Sequence, residues 1–281
     1  MDAKSSFTPE VTKERIGISY SSKFPSSGVF QCSLTGLVFN VTHEGEVTYK
    51  ILIWDKMDLE PACKFPGGPL YSIKSPQDCI SQLHLPHCEP EPALVSQSLS
   101  VVHLTDDGMS ILQPLEVTET HVVVNTPQLT VFGIVWDIIK RFKNFMTKPV
   151  CGQILLFLRP VNRRGRHILS VILLPSNVPL QEVKDQHENE YIQAPAHCLL
   201  HMGLDYSLHS DPGGFKIQPA TSDFCDNYGP NYHATFEIVL VESTEEVTLM
   251  VRDPEKKQVW EHRLHLSASH DSRDDDQPRT E

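Results

Sequence analysis

Short apolar runs with period-two alternation dominate the chain, and Pro, Gly, Asn and Asp separate them. The clearest example is the segment 99–133, which we interpret as three β-strands over 99–104, 115–125 and 129–135. Its β-branched content and its alternation of apolar and polar positions are typical of a half-buried sheet. The segment therefore predicts a β-rich first half of the molecule, with a second half after it.

The same pattern continues on both sides of this segment. Before it, strands are predicted over 29–33, 37–42, 46–54, 70–73, 79–85 and 96–104. After it, strands are predicted over 153–161, 167–175, 197–202, 206–210, 215–219, 233–242, 246–252 and 259–266. A Pro-rich connection at 61–69 carries Gly67-Gly68-Pro69 as a turn signal, and Arg163-Arg164-Gly165-Arg166 forms a basic hairpin tip. The fold class indicated is all-β, with two tandem antiparallel β-sandwiches.

Between the two blocks the apolar period changes. Val135, Trp136, Phe142 and Met146 fall on one face of a helix that ends at Pro149. A second helix-like piece covers 178–186. The predicted organisation is a flexible lead-in at 1–15, a first sandwich at 16–136, a connector with a short helix at 137–150, a second sandwich at 151–266 and an acidic disordered tail at 267–281.

Composition narrows the classes of function. The 281 residues carry a net charge of −12, which argues against a nucleic-acid partner because phosphate binding relies on clustered Lys and Arg. No apolar run approaches the roughly 18 residues that span a bilayer, so no membrane partner is expected. Residues 1–10 lack the apolar core of a secretion signal. Seven cysteines without such a signal indicate free thiols, so we expect a cytoplasmic protein.

Two groups of residues resemble metal ligands, namely His84 with His87 and Cys88, and His197-Cys198 with His201. Neighbours in a strand point to opposite faces, and neither group has the paired short spacings of a structural zinc site. We therefore expect no metal and no cofactor. The chain also lacks a phosphate-binding glycine loop and a nucleophile elbow, so nothing indicates an enzyme that acts on an external substrate.

One arrangement could act on the chain itself. A hydroxyl at a strained corner can attack the carbonyl of its own preceding peptide bond, given a base and donors for the oxyanion. Here the hydroxyl would be Thr130, the scissile carbonyl that of Leu129 and the base His103. The alternative reading is an ordinary strand threonine and a structural histidine, and the residues alone favour it.

Several stretches of the sequence together resemble a known family of domains. They cover 28–39, 49–55, 68–89, 100–110, 118–125 and 131–136 in the first block, and 155–161, 168–183, 206–211 and 215–219 in the second. The first set resembles the ZU-type half, and the second set the UPA-type half, of the function-to-find domain. That domain belongs to the inflammasome sensors that end in a caspase-recruitment domain. The resemblance covers roughly 16–266 and implies a ZU-like sandwich followed by a UPA-like sandwich.

In that family the ZU half cleaves itself at a Phe-Ser bond, and the fragments stay associated until loss of the amino-terminal part frees the UPA fragment. The resemblance places the family's His-Phe-Ser triplet on Gln128-Leu129-Thr130, its catalytic histidine on His103, and an acidic residue of some members near Leu112. All three triplet positions differ. Threonine also offers a secondary hydroxyl on a Cβ that restricts χ1. We therefore expect that this chain is not autoprocessed.

These observations predict a non-catalytic, cytosolic interaction and regulatory module of inflammasome signalling. The partners that the resemblance implies are related sensors, a second copy through the UPA half, and cytosolic dipeptidyl peptidases. Two alternatives stay open. One is a self-cleaving domain that cuts between Leu129 and Thr130 to release a UPA fragment. The other is a cytoskeletal or receptor-tail adaptor, as in the ZU–UPA pairs of ankyrins and netrin receptors.

Overall fold

The structure, a computed structural model, describes residues 4–126, 128–137, 149–159, 166–241 and 243–266. Within these ranges the chain is all-β, as predicted. The strands of the first half are β1 (Ser5–Phe7), β2 (Glu10–Lys13), β3 (Ile18–Phe24), β4 (Gly28–Cys32), β5 (Val38–Val41), β6 (Gly45–Leu52), β7 (Lys64–Lys74), β8 (Ile80–Pro86), β9 (Leu99–Thr105), β10 (Gly108–Leu112), β11 (Glu116–Val117), β12 (His121–Asn125) and β13 (Val131–Asp137).

The second half follows the same all-β plan. Its strands are β14 (Val150–Arg159), β15 (Arg166–Pro175), β16 (Glu190–Ile192), β17 (His197–Leu200), β18 (Asp205–Asp211), β19 (Lys216–Gln218), β20 (Ser222–Asp223), β21 (Phe236–Val241), β22 (Glu246–Arg252) and β23 (Gln258–His265). Helix α1 (Lys56–Leu59) lies in the first half and helix α2 (Leu180–Gln186) in the second, where the sequence predicts a helix-like piece. Short 3-10 turns occupy Glu60–Ala62, Pro92–Leu94 and Ser96–Ser98.

The described residues of the first half form two sheets. Sheet A has the order β1-β4-β5-β8-β12-β11, and sheet B the order β10-β9-β13-β7-β6-β3-β2. Their strand pairs are antiparallel except for β1 with β4, which is parallel. Side chains from both sheets meet in one core, among them Phe39, Leu83, Tyr49 and Phe132. The first half is therefore a sandwich of the predicted kind with one parallel edge pair.

The second half also contains two sheets in its described part. Sheet C has the order β16-β14-β15-β21-β19, with β17 also paired to β14, and sheet D the order β20-β18-β22-β23. The predicted hairpin of β14 and β15 is present, and Gly152 to Arg159 pair with Pro175 to Ile168. Its basic tip and the tail 267–281 lie outside the described residues. The apolar faces of β14, β15, β21 and β22 contribute Leu156, Val171, Phe236 and Leu249 to the core.

The expected flexible lead-in contains two strands. Strand β1 pairs with β4, and β2 pairs with β3, a strand that the sequence pattern also missed. The ring of Phe7 packs edge-on against Phe24, with 5.3 Å between the ring centroids. One aromatic side chain in an otherwise polar stretch thus anchors the segment, and the interpretation of residues 5–13 as flexible is wrong.

The turn signal Gly67-Gly68-Pro69 is also wrong, because these residues lie inside β7. The register between β7 and β13 shifts here, since Pro66 pairs with Val135 and Leu70 pairs with Gly133. Three residues of β7 therefore face one residue of β13, which is a β-bulge. Glycine and proline in a strand mark such bulges as well as turns, and the bulge is what these residues form.

Val135 and Trp136 belong to β13 and not to a connecting helix. Both are fully buried, and β13 pairs with β7 on one edge and β9 on the other. A central strand that is buried on both faces has an unbroken apolar run, and periodicity alone does not separate such a run from a helix. The rest of the predicted connecting helix, residues 138–148, lies outside the described residues.

The segment 99–133 contains more strands than the three predicted. The Asp106-Asp107 turn is confirmed, because Gly108 pairs with Thr105 in a hairpin of β9 and β10. The predicted strand 115–125 is divided into β11 and β12. Thr118 accounts for the break, since its hydroxyl donates to the His121 carbonyl at 3.1 Å and closes a local turn.

The two sandwiches are packed against each other. The Asn177 side chain donates to the carbonyls of Gly67, at 3.0 Å, and of Pro86, at 3.2 Å. The Cys151 amide donates to the Cys88 carbonyl at 2.7 Å. A core cluster of the second half also contacts the Trp54 ring of the first half; its buried members are Leu155, Phe157, Ile172, Leu174, Val178, Val183, Tyr228 and Tyr232. The halves therefore share apolar and backbone contacts.

We expect the substitution Gly133→Ala to destabilise the fold. A Cβ at Gly133 would meet the Trp54 ring and lie 3.0 Å from Leu70 Cδ1, and Trp54 is held by a 2.8 Å hydrogen bond from its Nε1 to the Gly68 carbonyl. Overpacking of this kind typically costs about 1–3 kcal/mol. Urea unfolding should show a lower midpoint at an unchanged slope. The matched control Gly213→Ala, where the nearest atom lies 3.9 Å away, should leave the midpoint almost unchanged.

Candidate functional site

His103 and Thr130, which the sequence singles out, lie in contact. His103 is on β9 opposite Phe132 of β13, and Thr130 immediately precedes β13. Because β9 and β13 are neighbours in sheet B, the start of β13 lies beside the end of β9. Thr130 Oγ1 is 2.8 Å from His103 Nε2. The structure therefore brings together the hydroxyl and the base that the intramolecular chemistry requires.

The histidine ring is held on several sides. His103 is buried, at 5% exposure, and its ring stacks on Phe132 with 4.5 Å between centroids and 15° between planes. The backbone of His103 also accepts a 3.3 Å hydrogen bond from the Ser110 hydroxyl on β10. These contacts fix the plane of the imidazole, so Nε2 faces one fixed set of partners.

A second group competes for the same nitrogen. The main-chain carbonyl of Gln128 lies 3.0 Å from His103 Nε2, and a carbonyl oxygen can only accept a hydrogen bond. In the tautomer that is protonated at Nε2, this nitrogen donates to Gln128 and the lone pair is on Nδ1, away from Thr130. In the other tautomer, Nε2 accepts from the Thr130 hydroxyl and makes no hydrogen bond to Gln128.

The backbone around the target bond has no left-handed residue. Leu129 and Thr130 do not have positive φ angles, and no cis peptide joins them. The Leu129 side chain packs against the core, and the Thr130 carbonyl accepts a 2.7 Å hydrogen bond from the Ile73 amide of β7. The carbonyl after the target bond is thus tied into sheet B. Strain from an unusual φ, one way to activate a peptide bond, is not present at these two residues.

Comparison with known proteins identifies the family of this site and fold. The family described as "Function to find" matches residues 13–142, and the family described as "UPA-FIIND domain" matches residues 150–264. The chain belongs to the function-to-find family. Together the two matches cover both sandwiches.

Relatives share this pair of domains at low identity. The chain is 24% identical over 260 residues to "NACHT, LRR and PYD domains-containing protein 1b allele 5" of Mus musculus, which covers 88% of this chain and 21% of that protein. It is 28% identical over 213 residues to "Caspase recruitment domain-containing protein 8" of Homo sapiens, which covers 71% of this chain and 38% of that protein. The chain therefore spans between a fifth and two fifths of the length of these relatives.

In this function-to-find domain, Ser110 faces His103 across the β9–β10 hairpin. The resemblance places the acidic residue of some members near Leu112, which instead pairs with Val101. Among the described residues, no carboxylate is hydrogen-bonded to the His103 ring. The arrangement thus contains a histidine and a hydroxyl, without an acidic group that would orient the ring for proton abstraction.

The sequence pattern identified His103 and Thr130 but not the two other groups that contact the His103 ring, the Gln128 carbonyl and the Phe132 ring. The Gln128 carbonyl belongs to the main chain, so the residue type at position 128 does not predict its contact with His103. The Phe132 ring could have been found, because β9 and β13 were both predicted and Phe132 is two residues beyond Thr130. Its stacking on His103 depends on the pairing of these strands, which the sequence did not specify.

The first group of candidate metal ligands forms a histidine cluster on sheet A. The rings of His84 and His121 are 6.4 Å apart. The His121 ring nitrogen Nε2 donates to the Gly36 carbonyl at 2.9 Å, and His87 Nε2 donates to the Thr118 carbonyl at 3.0 Å. Burial lowers the pKa of all three histidines, and that of His121 falls to about 4. All three histidines are thus neutral at neutral pH, and His87 and His121 donate to backbone carbonyls.

The second group of candidate metal ligands, His197, Cys198 and His201, is not gathered at one point. His197 is exposed and Cys198 is half-buried on β17, where burial raises the pKa of the Cys198 thiol to about 12. His201 lies beyond the end of that strand and donates its amide to the Tyr206 hydroxyl at 2.8 Å. In the part of the chain that the structure describes, no group of three His, Cys, Asp or Glu side chains is placed to hold a metal ion. That same part has no helix of the length and apolar character needed to cross a bilayer.

We expect the neutral His103 ring to be protonated at Nε2. Two-dimensional ¹⁵N NMR of histidine side chains distinguishes the two tautomers by the chemical shifts of the ring nitrogens. The reason is the 3.0 Å contact from Nε2 to the Gln128 carbonyl, which requires a donor. His103→Gln identifies the resonance. A ring protonated at Nδ1 only would contradict this reading of the site.

Acid should weaken the fold through the histidine cluster. Burial lowers the pKa of His121 from 6.5 to about 4, so the unfolded chain binds the proton more tightly than the folded chain. The contribution of His121 to stability is complete above pH 6.5 and is lost as the pH falls from 6.5 to 4. Urea unfolding across this range should be less pH-dependent in His121→Gln than in the parent chain. The exposed-site control His233→Gln should keep the dependence of the parent chain.

Proposed function

We propose that this function-to-find domain pair is a non-catalytic protein-interaction and regulatory module of inflammasome signalling that remains one uncleaved chain. The observation that carries the proposal is the contact between His103 Nε2 and the Gln128 carbonyl. It occupies the nitrogen that would have to accept the Thr130 proton. Without that proton transfer, the hydroxyl is a weak nucleophile toward the Leu129 carbonyl.

The residue types at the triplet support the same proposal. Gln128-Leu129-Thr130 stands where the resemblance places His-Phe-Ser. The branched Cβ of Thr130 limits χ1, and the attack on a carbonyl needs the reacting atoms aligned at about 3–3.5 Å. The hindered hydroxyl of Thr130 and the occupied His103 ring both affect the same step, the attack on the Leu129 carbonyl. Either alone would slow the reaction, and together they favour an intact chain.

A regulatory module without chemistry acts by binding other proteins. The relatives in which this domain pair occurs are named for NACHT, LRR and PYD domains or for a caspase-recruitment domain, so they combine it with further domains. The partners proposed for this chain are such related sensors, a second copy through the second sandwich, and cytosolic dipeptidyl peptidases. The proposed compartment is the cytoplasm, where the chain would meet them.

One observation favours a second candidate function, self-cleavage between Leu129 and Thr130. Thr130 Oγ1 and His103 Nε2 are 2.8 Å apart, within the range that proton transfer requires. In this case the imidazole would exchange its tautomer and give up the bond to Gln128 before the hydroxyl attacks. The attack would break the bond between the Leu129 carbonyl carbon and the Thr130 nitrogen, and the hydroxyl proton would pass through His103 to that nitrogen. Water would then hydrolyse the resulting ester, which would leave a carboxylate on Leu129 and a free amino group on Thr130.

Intact-mass measurement under denaturing conditions tests the proposal. We expect one species at 31.7 kDa, because the base is occupied and the nucleophile is hindered. Thr130→Ser, which supplies an unhindered hydroxyl but leaves the Gln128 carbonyl in place, should also remain whole. Two fragments that meet between Leu129 and Thr130, and that disappear in Thr130→Ala, would establish self-cleavage instead. Cleavage of the serine variant alone would mean that the nucleophile, and not the base, keeps the chain intact.

A further inference from the structure

A carboxyl group of the second sandwich is buried against tyrosines of the first. Glu182 lies in the first turn of α2 and is 1% exposed. Tyr20 of β3 and Tyr71 of β7, which interact electrostatically with it, are 0% and 1% exposed. Both tyrosine rings belong to the main core cluster of the first sandwich. Helix α2 thus places an acidic side chain against the core of the neighbouring sandwich.

The polar atoms in this contact are poorly satisfied. Glu182 Oε1, Tyr20 Oη and Tyr71 Oη are all buried, and none of the three atoms makes a hydrogen bond of good geometry in the described part of the chain. The Tyr20 hydroxyl is still close enough to the Glu182 carboxyl to interact with it. A buried carboxylate without a neighbouring cation is far more costly than a buried neutral carboxylic acid, because the charge loses its hydration. This cost makes the contact sensitive to whether Glu182 is ionised.

No cation faces Glu182 among the described groups. The titratable groups that interact with it are Tyr20 on β3, Tyr71 on β7, Tyr232 between β20 and β21, and Asp185 on α2 itself. Burial raises the pKa of Glu182 to about 7, with the Tyr20 hydroxyl opposing the rise and Asp185 adding to it. Burial raises the pKa of each of the three tyrosines, and Glu182 adds to that rise. The tyrosines are therefore neutral wherever Glu182 titrates.

The nearby cation is bound elsewhere. Lys13 of β2 forms an ion pair with Asp185 at 2.8 Å, and this pair also joins the first sandwich to α2. The Lys13 side chain is 76% exposed, so the ion pair contributes little to the stability of the junction. The contact between α2 and the first sandwich therefore depends mainly on its buried part. In that part, Glu182 is the carboxyl that faces the tyrosines of the first sandwich.

We propose that Glu182 is a protonation switch at the junction of the two sandwiches. When the carboxyl is neutral, it holds α2 against the tyrosines of the first sandwich, and when it ionises, the junction loosens. The second sandwich would then expose the surface that α2 and its neighbours cover in the closed arrangement. This proposal does not depend on whether Leu129 and Thr130 are cleaved.

The direction of the effect follows from linkage. A carboxyl whose pKa rises from 4.5 in the open state to about 7 in the closed state binds its proton more tightly when the junction is closed. The closed state has its full advantage below pH 4.5 and loses it as the pH rises to about 7. Over this range the opening constant of the junction should rise by up to about tenfold per pH unit.

Hydrogen exchange of the full chain between pH 5 and pH 7.5, corrected for intrinsic rates, tests the switch. In the parent chain, the opening constant of the amides of α2 should rise with pH across this range. In Glu182→Gln, which keeps the shape and cannot ionise, the rise should be smaller by a factor of up to about ten per pH unit. Amides of β22 and β23, away from the junction, should respond equally in both proteins.

Glu188→Gln is the matched control, because Glu188 follows the same helix and is exposed. It should reproduce the parent chain at every pH. If Glu182→Gln does not fold, Glu182→Met fills the same space without an ionisable group and takes its place. Equal pH dependence of the α2 amides in the parent chain and in the Glu182 variant would overturn the proposal.

Discussion

Strand β13 pairs along both edges, with β7 on one side and β9 on the other, and the rest of the first sandwich is arranged around it. Its pairing with β9 sets His103 beside the start of β13, where Thr130 lies. Its bulge against β7 brings Gly67 and Gly68 to the surface that Asn177 of the second sandwich contacts. One strand therefore positions both the candidate site and part of the junction between the sandwiches.

The sequence predicts strands correctly where apolar and polar residues alternate regularly. The β14–β15 hairpin and the strands β21 to β23 are examples, and so is the turn at Asp106-Asp107. The errors occurred where a different constraint applied. Val135 and Trp136 are buried on both faces of a central strand, and Gly67-Gly68-Pro69 serves a bulge. Residues 5–7 form a strand because the Phe7 ring packs against Phe24, which is distant in sequence.

The candidate site was predictable in its residues and not in its chemistry. The types and positions of His103 and Thr130 suggested a base and a hydroxyl, and the fold does place them 2.8 Å apart. Whether the imidazole can act as a base depends on where its proton lies. The same ring nitrogen is contacted by the Gln128 carbonyl, a main-chain atom whose position follows from the path of the loop before β13. The distance between the two reactive groups therefore does not by itself decide whether the site reacts.

The junction between the sandwiches gains importance if the peptide bond at Thr130 remains intact. A cut chain can separate its parts when the noncovalent contacts fail, whereas an intact chain can only change how its two sandwiches are packed. The contacts that hold them differ in kind. The hydrogen bonds of Asn177 are insensitive to pH, because an amide side chain does not titrate near neutrality. The contact made by the buried carboxyl of Glu182 does depend on pH, since burial raises the pKa of this group to about 7. The physical means of regulating an uncleaved chain of this family would then lie in the junction and not at the pair of His103 and Thr130.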